Sequence, residues 1–145
     1  MNSLKKLLAC TVQYQYNLQI LHWKITGYHF DTIHSILEGY QNKLTSYVDM
    51  FGEMLIAVDD EPMTLKEIVK FIEDDDADYI SINAEEYYDK GDVFKCIGYM
   101  FNHLIKLCDA VKTDNDLPSD IRAQIDGVQY ELRIESKYKN KMRLK

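Results

Sequence analysis

Residues 18–40 read LQILHWKITGYHFDTIHSILEGY, and this stretch decides the fold. Apolar side chains recur every three or four residues before Gly27, and the same spacing resumes after Phe30. This period is typical of amphipathic α-helices. Gly27 is suited to end the first helix, and Asp31 favours the N-terminus of the second. Because the turn between them is short, we expect the two helices to pack as an antiparallel hairpin.

The same periodicity predicts further helices along the chain. Thr64 and Glu67 are spaced as a capping box for a short helix, and Pro118 suits the first turn of the last one. Tyr87 is expected on the inward face of the third long helix. The acids at 73–78 are interpreted as a solvated linker, with an ion-attracting patch as the alternative. The predicted helices span residues 3–27, 30–58, 64–71, 84–112 and 118–138. The predicted fold class is therefore all-α, a four-helix bundle with a short extra helix in the crossover between helices 2 and 3.

Composition limits the class of protein. At 145 residues, the chain is about the size of one domain, 1–145, and its six Gly and two Pro are too few for a loop-rich β fold. No run approaches the length of a transmembrane helix, and the N-terminus lacks the pattern of a signal peptide. The three cysteines form no CxxC pair, so we expect them to be buried and reduced, in a cytoplasmic protein.

The second helix carries two pairs of candidate metal ligands. His34 and Glu38 lie four residues apart, as do Asp49 and Glu53, so each pair shares one helix face. Glu38 and Asp49 are about 16 Å apart along the axis, which is too far for one metal ion to contact both. Either these are unrelated solvated charges, or the helix meets its antiparallel copy in a two-fold dimer, where the pairs complete each other.

His22 favours the dimer interpretation. It lies five residues before Gly27 while His34 lies seven after, so the hairpin can bring the two imidazoles together. Mixed imidazole and carboxylate ligands suit iron, whereas an all-thiolate set would suit zinc. The chain contains neither the HExxH string of zinc proteases nor the GxxxxGK[ST] string of P-loop proteins.

These residues also carry a resemblance to a known family. The string His22-Trp23-Lys24-Ile25-Thr26-Gly27-Tyr28-His29-Phe30, followed by His34 and Glu38-Gly39-Tyr40, resembles the signature of the Dps mini-ferritins, the DNA-protection-during-starvation family within the ferritin-like proteins. Asp49-Met50-Phe51-Gly52-Glu53 and Glu61-Pro62-Met63-Thr64-Leu65-Lys66-Glu67 continue the match in register. The chain departs from the pattern at Met54, where the family usually has a basic residue.

The resemblance implies a ferroxidase that oxidises Fe(II), typically with hydrogen peroxide, at di-iron sites between two subunits. The ferric product would be stored inside a homo-oligomeric cage of twelve subunits, giving protection against oxidative damage. His22, His34 and Glu38 would come from one subunit, and Asp49 and Glu53 from its partner, with Trp23 beside the site as a hydrogen-bond donor or radical quencher. The alternatives are a non-catalytic Dps-like shell that coats DNA and a helical bundle that forms no cage.

Two groups of charged residues each allow two interpretations. Asp114, Asp116 and Asp120 lie where the family has an acidic pore for incoming ions, although they could equally form a polar turn. The basic C-terminal tail, about 137–145, contrasts with a net charge of −7 for the whole chain. It could bind DNA phosphates, which would make the protein nucleoid-associated, or it could simply end a solvated helix. Its basic residues are Lys137, Lys139, Lys141, Arg143 and Lys145. His29 and His103 are expected to be structural.

Overall fold

The computed structural model describes residues 2–59, 61–74 and 81–145, with the side chain of Asp59 left out. The described chain is helical along most of its length, as the sequence predicted. Of the predicted linker at 73–78, Glu73 and Asp74 instead end the helix Leu65–Asp74, and residues 75–78 lie outside the described residues. The helices are α1 (Asn2–Lys24), α2 (Phe30–Asp59), α3 (Leu65–Asp74), α4 (Lys90–Lys112), α5 (Ser119–Arg133) and α6 (Asn140–Leu144), with a π-helical segment (Ile134–Lys139) joining α5 to α6.

The long helices form a four-helix bundle, which confirms the predicted fold class. Helix α1 packs along α2 and α4, α4 packs along α5, and the short helix α3 lies against α1. One hydrophobic core runs through the bundle and includes Met54, which is 4% exposed and faces the interior of its own chain. None of the helices in the described ranges combines the length and the apolar character needed to cross a membrane.

The turn between α1 and α2 depends on one glycine. Gly27 has a φ of +108°, a conformation that side chains with a Cβ rarely adopt. It reverses the chain within a few residues, so the end of α1 lies beside the start of α2. The predicted hairpin is therefore confirmed. At α3 the predicted cap by Thr64 is present, since the Glu67 N–H donates to Thr64 Oγ1 at 3.2 Å; the Glu67 carboxylate accepts a hydrogen bond from the Thr64 hydroxyl at 3.1 Å.

The predicted start of the third long helix was wrong. Helix α4 begins at Lys90. Asp89 caps it, because its carboxylate accepts a hydrogen bond from the Asp92 N–H. Residues 84–89 instead include a short bridge to the end of α1, because the Tyr88 N–H donates to the Lys24 carbonyl at 2.9 Å. Consequently Tyr88 is buried, whereas Tyr87, which was predicted to face inward, is 69% exposed.

The last helix extends beyond its predicted end at Tyr138. The π-helical segment and α6 continue it to Leu144, and both pack against α4. The basic residues from 137 to 143 are therefore helical, and Lys145 follows the end of α6. A π turn inserts one residue into the helical repeat and shifts the face that follows it. Here Glu135, Ser136 and Asn140 are all buried, which the pattern of charges did not indicate.

Candidate metal centre

The hairpin brings His22 and His34 into contact. His22 lies in the last turn of α1 and His34 in the second turn of α2, and their ring centroids are 3.6 Å apart with an angle of 37° between the planes. Phe30, one turn before His34, stacks on its imidazole at 5.2 Å and 28°. Packing from two sides therefore holds the imidazole of His34 in place.

Both histidines have a buried ring nitrogen with no hydrogen-bond partner among the described residues. This atom is Nδ1 in His22 and in His34. Burial lowers the pKa of His22, and the neighbouring His34 lowers it further, while the charge of Glu38 acts in the opposite direction. These effects favour the neutral imidazole, which is the form that binds metal ions. A buried polar atom without a partner costs free energy, which a bound ligand can recover.

The carboxylates of α2 lie at different distances from the two histidines. Glu38 lies on the rim of a polar cleft that it shares with His22. Asp49 and Glu53 are exposed, about 16 Å and more further along the same helix. Within the described ranges, no three His, Cys, Asp or Glu side chains converge to hold a metal ion. One chain thus brings His22 and His34 into contact, with Glu38 lining the same cleft as His22, and leaves Asp49 and Glu53 farther along α2.

Trp23 lies next to this cluster on the outer surface of α1. Its indole is 60% exposed and meets Tyr16 edge-on, with ring centroids 6.4 Å apart. Both aromatic residues line a shallow groove that also includes Gln19 and Gln41. The same two glutamines line the cleft of His22 and Glu38, so Trp23 and the histidines border one continuous surface.

The acidic turn after α4 has a local structural role as well. Asp114 Oδ1 accepts a hydrogen bond from the Asp116 N–H at 2.9 Å, and the Asp114 carbonyl accepts one from Arg122 at 3.0 Å. Asp120 lies in the first turn of α5, and its Oδ1 accepts a hydrogen bond from the Ile121 N–H. The carboxylates of Asp116 and Asp120 remain on the surface. Turn formation accounts for Asp114, whereas a pore role for the three acids stays a prediction.

Two of the basic C-terminal side chains are already engaged within the chain. Lys139 Nζ lies 3.0 Å from Glu135 Oε1, and Arg143 lies 3.9 Å from Glu135 Oε2. Arg143 also donates a hydrogen bond to the hydroxyl of Tyr40. Lys137, Lys141 and Lys145 are exposed and point to solvent. The segment is therefore largely helical, with Lys137, Lys141 and Lys145 outside the ion pairs to Glu135, and DNA binding by it stays a prediction.

The sequence interpretation missed several residues around the histidines. Phe30 was noted only as a helix start, although its spacing of four residues before His34 could have indicated the stacking. Gln19 and Gln41 carry no such local signal, because they meet across the hairpin rather than along one helix. The structural assignment of His103 agrees with its 2.5 Å hydrogen bond to Tyr14, and His29 is exposed at the turn.

Comparison with known proteins identifies the fold. No family model and no curated protein sequence matches the chain. Among solved structures, it is similar to Dps from Staphylococcus aureus, with a TM-score of 0.82 and 20% identity over 99% of this chain and 93% of that one. It is also similar to antigen TpF1 from Treponema pallidum (TM-score 0.78, 21% identity, 99% and 90% coverage) and to Mycobacterium smegmatis Dps in a tetragonal form (0.78, 18%, 94% and 81%). At these identities the likeness concerns the fold, and the chain has the ferritin-like fold of the Dps proteins.

Proposed function

We propose that this protein is a mini-ferritin that oxidises Fe(II) with hydrogen peroxide and stores the ferric product inside a homo-oligomeric cage. The observation that carries this proposal is the contact between His22 and His34, each with a buried Nδ1 that has no partner in the part of the chain that the structure describes. Each peroxide molecule accepts two electrons, one from each of two Fe(II) ions, and leaves as two hydroxide ions. Iron is thus both the substrate and the cargo.

In this proposal, each active site has two halves. His22, His34 and Glu38 of one subunit form the first half, and Asp49 and Glu53 of a two-fold-related subunit form the second. The distance of about 16 Å between Glu38 and Asp49 on one helix supports the division, because no single ion can contact both. The imidazoles would fix the coordination geometry. The carboxylates would stabilise the ferric state, since added negative charge favours the higher oxidation state.

Subunit complementation tests the divided site. A His22→Ala/His34→Ala chain and an Asp49→Ala/Glu53→Ala chain should each be inactive in peroxide-driven Fe(II) oxidation. Co-expressed in equal amounts, they should recover about one quarter of the wild-type rate, because random pairing gives each site two intact halves in that fraction of cases. His29→Ala, which removes an exposed histidine outside the cluster, is the matched control. No recovery on mixing would rule out a site shared between subunits.

The assembly is tested separately by solution mass. A cage of twelve 17.1 kDa chains differs plainly from a monomer in size-exclusion light scattering. A monomeric wild-type protein would contradict both the cage and the shared site. A cage that loads no iron with peroxide would favour the competing function, a non-catalytic Dps-like shell.

DNA binding is a second candidate function for the C-terminal helix. Lys137 is exposed on the π-helical segment, Lys141 on α6 and Lys145 directly after α6. Residues 1–136 carry 12 basic and 24 acidic side chains, and this acidic body would repel the duplex. A triple Lys→Glu variant at these positions should abolish any shift of duplex DNA in a gel, with the loss greatest at low salt. An unchanged shift would exclude these three lysines as the DNA contact.

A further inference from the structure

A polar cleft lies between α1 and α2 beside the histidine pair. Its volume is about 350 Å³, which is room for several water-sized molecules. His22 and Glu38 line one part of it, and the rest is lined by Gln15, Gln19, Gln41, Asn42 and Thr45. Apart from the two proposed iron ligands, the lining is therefore made of uncharged amides and a hydroxyl. Such a surface offers hydrogen bonds to a small neutral molecule and little attraction to a free metal cation.

Two of these amides are tied to each other across the hairpin. Gln41 Nε2 donates a hydrogen bond to Gln19 Oε1 at 2.5 Å. A carboxamide carries one NH₂ donor group and one carbonyl acceptor. Because Gln41 uses its NH₂ and Gln19 its carbonyl in this bond, the pair still offers the Gln19 NH₂ and the Gln41 carbonyl oxygen. A donor and an acceptor thus lie next to each other at the cleft.

A second set of hydrogen bonds lies in the same region of α1 and α2. Gln15 Nε2 donates to Thr45 Oγ1 at 2.5 Å, and Thr45 Oγ1 donates to the Gln41 carbonyl of the main chain at 2.8 Å. The bond between Gln19 and Gln41 restrains those two side chains, and the bond between Gln15 and Thr45 links α1 to α2 one turn away. Groups held in this way lose less conformational entropy on binding than free side chains do.

We propose that Gln19 and Gln41 form a binding site for hydrogen peroxide beside His22 and Glu38. Hydrogen peroxide is small and neutral, and each of its oxygens can both donate and accept a hydrogen bond. Its two ends therefore match the adjacent donor and acceptor of the glutamine pair. This inference rests on the proposed function, and it adds a site that holds the oxidant while the histidines and carboxylates hold the iron.

The test measures how the Fe(II) oxidation rate depends on peroxide concentration under nitrogen. Gln19→Met and Gln41→Met keep the side-chain length and remove the hydrogen bonds. The double variant should raise the KM for peroxide roughly 5- to 30-fold, as expected for the loss of two neutral hydrogen bonds. Gln13→Met is the matched control, because Gln13 lies on the same helix, bonds only to Asn17 in the described structure and does not line the cleft.

Binding of Co(II) in the absence of peroxide provides a second readout. The Met variants should bind Co(II) with wild-type affinity, because the glutamines are not proposed as metal ligands. A tenfold loss of Co(II) affinity would overturn the inference, since the glutamines would then merely position the histidines. A KM within twofold of wild type would overturn it while leaving the proposed function intact. A wild-type protein that oxidises no Fe(II) with peroxide would instead refute the proposed function, and this inference with it.

Discussion

The buried carboxylate of Glu135 should stabilise the C-terminal part of the bundle. It is 7% exposed on the π-helical segment, and its Oε2 accepts a hydrogen bond from the Tyr40 hydroxyl at 2.6 Å. Lys139 and Arg143 approach it from the same segment and from α6. The guanidinium of Arg143 also lies over the ring of Phe94, 5.3 Å from its centroid. One carboxylate therefore links α2 to the end of the chain.

We expect Glu135→Gln to lower the free energy of unfolding by about 2 kcal/mol. A hydrogen bond to a charged group contributes about 1.5–3 kcal/mol, and the amide of Gln keeps only its neutral part. The Lys139 side chain is 48% exposed, so solvent screening limits its contribution to under about 1 kcal/mol. The Arg143 contact at 3.9 Å contributes little direct hydrogen bonding. The substitution would, however, leave the partly buried guanidinium without its counter-ion.

Urea unfolding, followed by far-UV circular dichroism at fixed protein concentration, measures this cost. Glu131→Gln is the matched control, one turn earlier on the same helix, where the carboxylate accepts a hydrogen bond from Tyr47 but is 52% exposed. Its cost should stay below about 1 kcal/mol. Equal losses for the two variants would refute the reasoning, because burial would then make no difference to the carboxylate.

The stabilisation by Glu135 should also depend on pH. Burial acts to raise the pKa of Glu135, but the hydrogen bonds from Tyr40 and Lys139 and the charge of Lys139 outweigh it, so the pKa lies below its ordinary value of 4.5. A pKa that is lower in the folded state contributes stability above the unfolded-state pKa, and this is lost as the pH falls through the folded-state pKa. The difference between wild type and Glu135→Gln should be constant from pH 7 to about pH 5.5 and shrink below about pH 4.5. A difference that grows on acidification would contradict this sign.

Three further predictions concern the hairpin, the histidine cluster and the acidic turn. Gly27→Ala should cost about 1–2 kcal/mol in urea unfolding because of its φ of +108°, whereas Gly52→Ala, in a helix with equally free space, should be neutral or stabilising. Phe30→Ala should weaken Co(II) binding roughly tenfold without changing the oligomer mass, because the His34 imidazole loses the ring that stacks on it. An unchanged affinity would show that the stacking is incidental. Asp116→Asn/Asp120→Asn should slow iron uptake roughly two- to fivefold at low ionic strength, with the effect fading in high salt. A salt-independent rate would argue against a pore role for these acids.

Local sequence patterns were sufficient to predict the hairpin and the short helix. The three-and-four spacing of apolar residues marks both long helices. Gly27 has a positive φ, which glycine adopts without strain. Thr64 caps α3 through hydrogen bonds to Glu67, three residues later. Each of these features depends on contacts within a few residues, so the sequence alone contains what is needed to recognise them.

Long-range contacts explain where the sequence interpretation was wrong. Residues 84–89 have helical spacing, but the Thr26 N–H donates to the Tyr88 carbonyl at 2.9 Å and draws this stretch against the end of α1. Partners more than 60 residues away override a weak local preference for helix. The C-terminal charges were similarly interpreted as a tail. The reason is that nothing nearby in sequence indicates that the Tyr40 hydroxyl accepts a hydrogen bond from Arg143 and donates one to Glu135.

The candidate site combines both kinds of information. The contact between His22 and His34 follows from the hairpin and was expected from the sequence, whereas the orientation of their rings depends on Phe30 and on packing that only the structure gives. The two buried imidazole nitrogens have no partner in the described ranges, and burying a polar atom in this way costs about 1–3 kcal/mol of stability for each atom. A ligand that binds only the folded state recovers this cost and adds its own binding free energy. Metal binding should therefore stabilise the wild-type fold more than it stabilises a His34→Ala chain. The comparison of their Co(II)-dependent unfolding tests whether the two nitrogens are kept unpaired for a metal ion.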